Sequence, residues 1–168
     1  LLLIGGGVQP YEEEIRSLIN ELNLSNRVKM TGRIPYDQLP SHLAMCDIFT
    51  TASVTEVHPL SVIEAMGAGL AVMGIESVGV GDTIEDGVTG FLSTNDMPAF
   101  TAKLTRLCLD VELRKQMSHS AREASHVYAI ERTTDIMLKH YERLVAESVP
   151  RKSNWRTRLR GFMERFIS

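Results

Sequence analysis

The sequence predicts an α/β fold built on a doubly wound parallel sheet flanked by helices. Three observations predict it. Short apolar runs end in glycine or polar loops, as strands buried on both faces do. Segments with apolar residues at helical spacing separate those runs. The order strand, helix, strand, helix recurs at lengths that suit right-handed crossovers.

Leu1–Ile4 reads as a buried strand meeting the Gly5–Gly7 loop. A helix over Pro10–Leu22 follows, with Tyr11, Ile15, Leu18, Ile19 and Leu22 on one face. The triple glycine does not complete a dinucleotide-binding motif. Pro10 occupies its third glycine position, and no acid ends the next strand, so the loop reads as a strand-to-helix turn. Arg27–Thr31 is the second strand, and Gly32 ends it. Pro35 opens a helix over Tyr36–Met45, where Pro40 is early enough to be tolerated, with Leu39, Leu43 and Cys46 inward. Asp47–Thr51 is the third strand. Pro59 starts a helix that Gly69 ends, and Leu70–Ile75 is the fourth strand. Asp82 caps a short helix over Thr83–Glu85, and Thr89–Leu92 is the fifth strand. Helices over Met97–Leu109, Val111–Ser125 and Ile130–Glu147 complete the fold, the first capped by Asn95 or Asp96, with Tyr128 in the last break.

The composition belongs to an ordinary globular domain: 168 residues, 43% hydrophobic and 23% charged. No apolar run reaches transmembrane length. Cys46 and Cys108 sit in apolar helical patterns without metal spacing, so buried reduced thiols are expected. His42, His119, His126 and His140 are scattered and show no ligand spacing. The net charge of −3 divides unevenly. Residues 151–168 hold six basic residues against one acid, whereas the other 150 hold 12 basic and 20 acidic. The body is therefore acidic, and no nucleic-acid partner is expected. The N-terminal residues read as the inside of a strand, so the chain is expected to be a piece of a longer one.

In parallel sheets ligands sit beyond the carboxyl ends of the strands. Gly5–Gly7, Gly32–Ile34 and Ser53–Leu60 all lie there and should share one cleft. The organising stretch is Thr55–Gly69, TEVHPLSVIEAMGAG. With Pro59 at the first helical position, the amides of Leu60, Ser61 and Val62 form an anion site. Glu56 precedes that helix and Glu64 lies about a turn inside it. A bound phosphate repels carboxylates, so each glutamate is better placed to accept hydrogen bonds from hydroxyls. Hydroxyl-rich groups on both sides of an anion outline a nucleotide sugar. A glycosidase pair needs two carboxylates facing one bond from opposite sides, which this arrangement does not provide. His58 either supports its loop or touches the donor. Arg33 is either a surface arginine or a contact to the nucleobase or diphosphate.

The Glu-x7-Glu spacing followed by AMGAG resembles the signature of the retaining family-4 glycosyltransferases. MTGRIPYDQLPSHLAMCDIFTTAS upstream and GVGDTIEDGVTGFL downstream resemble the same family, over about residues 1–147. The resemblance implies a Rossmann-like domain, one half of a GT-B fold, spanning residues 1–149 and lacking its first strand. It implies that Glu56 orients the donor sugar as the catalytic residue and that Glu64 holds the ribose. His58, Pro59, Leu60, Ser61, Val62, Arg33, Ile34 and Gly7 would complete the donor site. The donor would be a UDP- or GDP-sugar, with no metal required and the anomeric configuration retained. It further implies an acceptor domain, and an Arg and a Lys for the diphosphate, both upstream of Leu1; without them this piece alone is expected to be inactive. The competing readings are an epimerase of the same architecture and a non-catalytic nucleotide-binding module.

Within residues 150–168, Trp155, Leu159, Phe162, Met163, Phe166 and Ile167 form one helical stripe, with the arginines largely off it. Such a helix either packs on protein or lies on an anionic membrane surface. The membrane or a partner is the preferred contact, which gives a cytoplasmic protein held at the inner face of the membrane.

Overall fold

The computed structural model describes residues 1–148, so the expected amphipathic helix over residues 150–168 lies outside the described residues. The chain divides into two compact units, one of Leu1–His126 and one from Val127 onward. The second contains helix α7 (Ile130–Glu147), placed where its apolar periodicity predicts.

The first unit carries five short parallel strands: β1 (Leu2–Leu3), β2 (Lys29–Met30), β3 (Ile48–Thr50), β4 (Ala71–Ile75) and β5 (Gly90–Ser93). Helix α1 (Gln9–Glu21) joins β1 to β2. A single 3-10 turn at Tyr36–Gln38 and α2 (Leu39–Leu43) lead to β3. Helix α3 (Leu60–Gly67) joins β3 to β4, and α4 (Val80–Thr83) lies between β4 and β5. Helices α5 (Met97–Leu109) and α6 (Val111–Ser125) follow. The α/β class and parallel pairing are those expected from sequence. The hydrogen-bonded ladder, however, comes in two pieces: β1 pairs with β2, and β3–β4–β5 form a separate group.

Strand β4 is the centre of the packed group, and its alternation divides the core. Val72 points with Leu43, Val62, Ala65, Met66 and Leu70 into a cluster under α3. Ala71 and Met73 point the other way, onto Phe91, Leu107 and Met117. Each fully buried Met or Leu stabilises the fold by about 1.5–3 kcal/mol. Gly90 permits the β4–β5 pairing, because a Cβ there would fall 2.0 Å from the Val72 carbonyl oxygen. Asp96 caps α5 by accepting from the Ala99 amide at 2.9 Å, and Asp110 caps α6 through Leu113 at 3.0 Å.

Four local expectations change. Helix α3 starts at Leu60, with Pro59 as its N-cap at ψ 81° rather than its first helical residue. Helix α4 begins at Val80 after Gly79, and not at an Asp82 cap. The Gly81 amide already bonds the Ser77 carbonyl at 2.8 Å, and the Thr83 hydroxyl bonds that of Gly79 at 2.7 Å, so the turn closes earlier. Cys108 is exposed and Cys46 half-buried, because the inward face of α5 is taken by Phe100, Leu104 and Leu107. Helix α1 buries no residue: Leu18 is 53% and Leu22 56% exposed.

Candidate functional site

The site is assembled from loops at the carboxyl ends of the strands. After β1 and β2, the Gly5 amide donates to the Gly32 carbonyl at 3.0 Å, which ties those two loops together. Arg33 and Ile34 follow directly and line a cavity of about 1030 Å³ beside β1 and β3. Ser61, at the start of α3, lines the same cavity. Gly7 is exposed and lies outside that lining.

After β3, the loop that carries Glu56 is held from two sides. The Ser53 hydroxyl donates to the Glu56 carboxylate at 3.2 Å. The Ser77 hydroxyl, just beyond β4, donates to the Ser53 carbonyl at 3.3 Å. Gly79 closes the arrangement. Its φ is +81°, and a Cβ there would come within 2.4 Å of the Glu56 carbonyl oxygen and 2.7 Å of that of Val57. Only glycine permits this contact between the loop after β4 and the backbone of Glu56. Pro59 is fully buried beneath the loop, whereas Glu56 and His58 are exposed.

The helix start differs from the expected open anion site. The Leu60 amide already donates to the His58 carbonyl at 2.9 Å, and the Val62 amide to the Pro59 carbonyl at 3.0 Å. Pro59, at φ −79° and ψ 81°, makes an inverse γ-turn that brings the Leu60 amide onto the His58 carbonyl, and its own carbonyl accepts from the Val62 amide. Of the three amides only that of Ser61 has no hydrogen-bond partner among the described residues. The expectation that Leu60 and Val62 offer free amides is corrected accordingly.

Glu64 is half-buried in α3 and accepts a short hydrogen bond from the Tyr36 hydroxyl. The bond, and then the carboxylate's charge, raise the Tyr36 pKa above the ordinary 10.0. Tyr36, Ser53, Ser77 and Gly79 were not among the sequence-assigned site residues. Nothing in PYDQL distinguishes Tyr36 from a solvent-facing helix start, because its partner is 28 positions away. Gly79 stood in a glycine-rich turn, but its contact is with a loop more than 20 residues earlier. Among the described residues no group of three or more His, Cys, Asp or Glu side chains is placed to hold a metal ion. No helix among them is long and apolar enough to cross a membrane.

What the arrangement offers is a Ser61 amide without a partner among the described residues, lining a wide cavity, with Glu56 and Glu64 flanking it in sequence and standing outside that lining. Residues 1–124 match the family described as glycosyl transferases group 1. The chain belongs to that family. It is 31% identical over 130 residues to a GDP-mannose-dependent alpha-(1-6)-phosphatidylinositol monomannoside mannosyltransferase of Mycolicibacterium smegmatis, covering 73% of this chain and 34% of that protein. It is 33% identical over 132 residues to the sulfoquinovosyl transferase SQD2 of Arabidopsis thaliana, covering 76% of this chain and 25% of that one. Among solved structures, Anabaena HepE in complex with UDP-glucose aligns at a TM-score of 0.76 and 26% identity, over 85% of this chain and 40% of that chain. This member of the family thus spans between a quarter and two fifths of the length of such proteins. Its parallel α/β architecture is that of the GT-B structural neighbours.

Proposed function

We propose that this chain is the donor-binding, C-terminal domain of a retaining family-4 glycosyltransferase. The observation that carries the reading is the pair Glu56 and Glu64 flanking in sequence a Ser61 amide that has no partner among the described residues, in a chain of this family. The relatives named as using GDP-mannose and solved with UDP-glucose support a nucleotide diphosphate sugar as the donor. Glu56, steadied by Ser53 and Gly79, takes the sugar hydroxyls, and Glu64 takes those of the ribose. The Ser61 amide receives a diphosphate oxygen at the positive end of α3. Arg33 and Ile34 border the base.

In the proposed reaction the bond from the anomeric carbon to the diphosphate oxygen breaks. A bond from the acceptor oxygen to that carbon forms on the same face. The acceptor proton passes to the departing diphosphate, so the products are a glycoside and a nucleoside diphosphate, and no metal is required. Acceptor binding and the cations that offset the diphosphate charge belong to polypeptide upstream of Leu1, an electrostatic contribution of the kind that usually dominates catalysis.

Calorimetric titration with UDP, GDP and ADP, on the encoded polypeptide that carries this chain, tests the reading. One nucleotide should bind selectively, and Glu64→Ala should weaken it by about tenfold or more, the loss of one good hydrogen-bonding contact. If none of the three binds, the donor-site assignment is wrong.

A further inference from the structure

Glu64 combines a fixed backbone with a side chain that a single contact holds. Val62, Ala65 and Met66, its neighbours on α3, are fully buried, so the helix seats the Glu64 Cα against the core. The carboxylate still has three side-chain torsions to settle. Ordering them when a ligand arrives costs entropy, unless the protein has ordered them beforehand. The Tyr36 hydroxyl does this by donating to Glu64 Oε1. A hydrogen bond from a hydroxyl to a carboxylate belongs to the strong, charge-assisted kind. Glu64 Oε2 has no partner among the described residues, so one oxygen is held and the other is left to accept.

The residue that does the holding is itself steadied. Tyr36 begins the 3-10 turn Tyr36–Gln38, where the Gln38 amide donates to the Pro35 carbonyl at 3.0 Å. The same loop starts at Gly32, whose carbonyl accepts from the Gly5 amide. Tyr36 lines the large cavity with Arg33, Ile34 and Ser61, whereas Glu64 stands outside that lining. Its hydroxyl therefore links Glu64 to the cavity wall. Water competes for a hydrogen bond made by a tyrosine that is 75% exposed, so the bond adds little to stability. What it fixes is the place of the carboxylate. The bond, and then the carboxylate's charge, keep the Tyr36 pKa above the ordinary 10.0, so the phenol stays protonated and donating at neutral pH.

We propose that Tyr36 is a positioning residue for ribose recognition. Its hydroxyl holds Glu64 Oε1, so that Oε2 receives the vicinal hydroxyls of a ribonucleoside diphosphate. The role rests on the donor reading of Glu64 and adds to it a residue that acts through Glu64. Preference for ribose over a sugar lacking those hydroxyls then depends on a side chain 28 positions from the glutamate that accepts them.

Calorimetry with UDP and GDP, each beside its 2′,3′-dideoxy counterpart, on the encoded polypeptide that carries this chain tests the role. The unaltered protein should prefer the ribonucleotide, and Glu64→Ala should lose that preference. Tyr36→Phe removes one oxygen and keeps the ring. It should weaken the ribonucleotide by about three- to tenfold and leave the dideoxy form within about twofold. Added to Glu64→Ala, the same change should have no further effect. Equal weakening of both forms by Tyr36→Phe means a general structural role, and weakening of neither means an idle contact. Either result overturns the proposal while the Glu64→Ala result stands. If Glu64→Ala keeps the preference, or if neither nucleotide binds, the donor reading fails and the positioning role falls with it.

Discussion

The two halves of the sheet are written in the same local language and packed very differently. LLLI in β1 is as apolar as AVMGI in β4, and both runs lead into loops that contribute to the candidate site. Every residue of β4 is buried, whereas no residue before Leu43 is. Helix α1 has Val8 at its N-cap position and no side-chain cap, whereas α5 and α6 have aspartate caps. The difference lies in the neighbours. Strand β4 has a strand on each side and helices on both faces, and β1 has a strand on one side only. Burial is a property of what surrounds a segment, and an apolar run states only that it should be surrounded.

The largest effect that tests this contrast is in the core. Met73→Ala, in the packed half, should lower stability by about 2–5 kcal/mol in urea unfolding. Leu18→Ala on exposed α1 should cost well under about 1 kcal/mol in the 168-residue chain. A cost at Leu18 equal to that at Met73 would erase the contrast.

Next is Gly79→Ala, which combines an unfavourable φ with a clash against the Glu56 carbonyl. It should destabilise by roughly 1–3 kcal/mol and, by displacing Glu56, weaken nucleotide-sugar binding. Calorimetry with the sugar nucleotide and with the bare nucleotide separates these effects, since the loss should be greater for the former. Asp96→Ala should cost about 1 kcal/mol, because the Ala99 amide loses its acceptor. Val8→Ser, which offers α1 the cap it lacks, should move stability the other way by a smaller amount.

The smallest effect is at the hydrogen bond that joins the halves. Tyr36 follows β2 and Glu64 lies in α3. Its pKa is raised in the folded state, so the contribution is complete below the ordinary tyrosine pKa and disappears as pH rises through the folded value. In Glu64→Gln the Tyr36 titration, followed by its ring carbon resonance, should move down toward 10.0. An unchanged midpoint would mean that the two halves are not coupled there.

Much of this was legible in the chain. The helices α5, α6 and α7 start and end where periodicity and capping residues place them, because those signals act within a few positions. The grouping of Glu56, the Pro59 turn and Glu64 is equally local, and it carried the resemblance of which the coarser part, membership of the glycosyl transferases group 1, is shown over residues 1–124. Other features were decided only in three dimensions. The loss of two of the three expected free amides depends on the ψ of one proline, and Glu64 meets a tyrosine 28 residues earlier. That Leu2, Ile4, Ile48 and Thr50 line one cavity is likewise visible only in the folded chain. Sequence determines which groups a segment must satisfy through its own pattern of apolar, polar and capping residues. Tertiary structure decides which of those groups find partners, because hydrogen bonding and burial are settled between segments far apart in the chain.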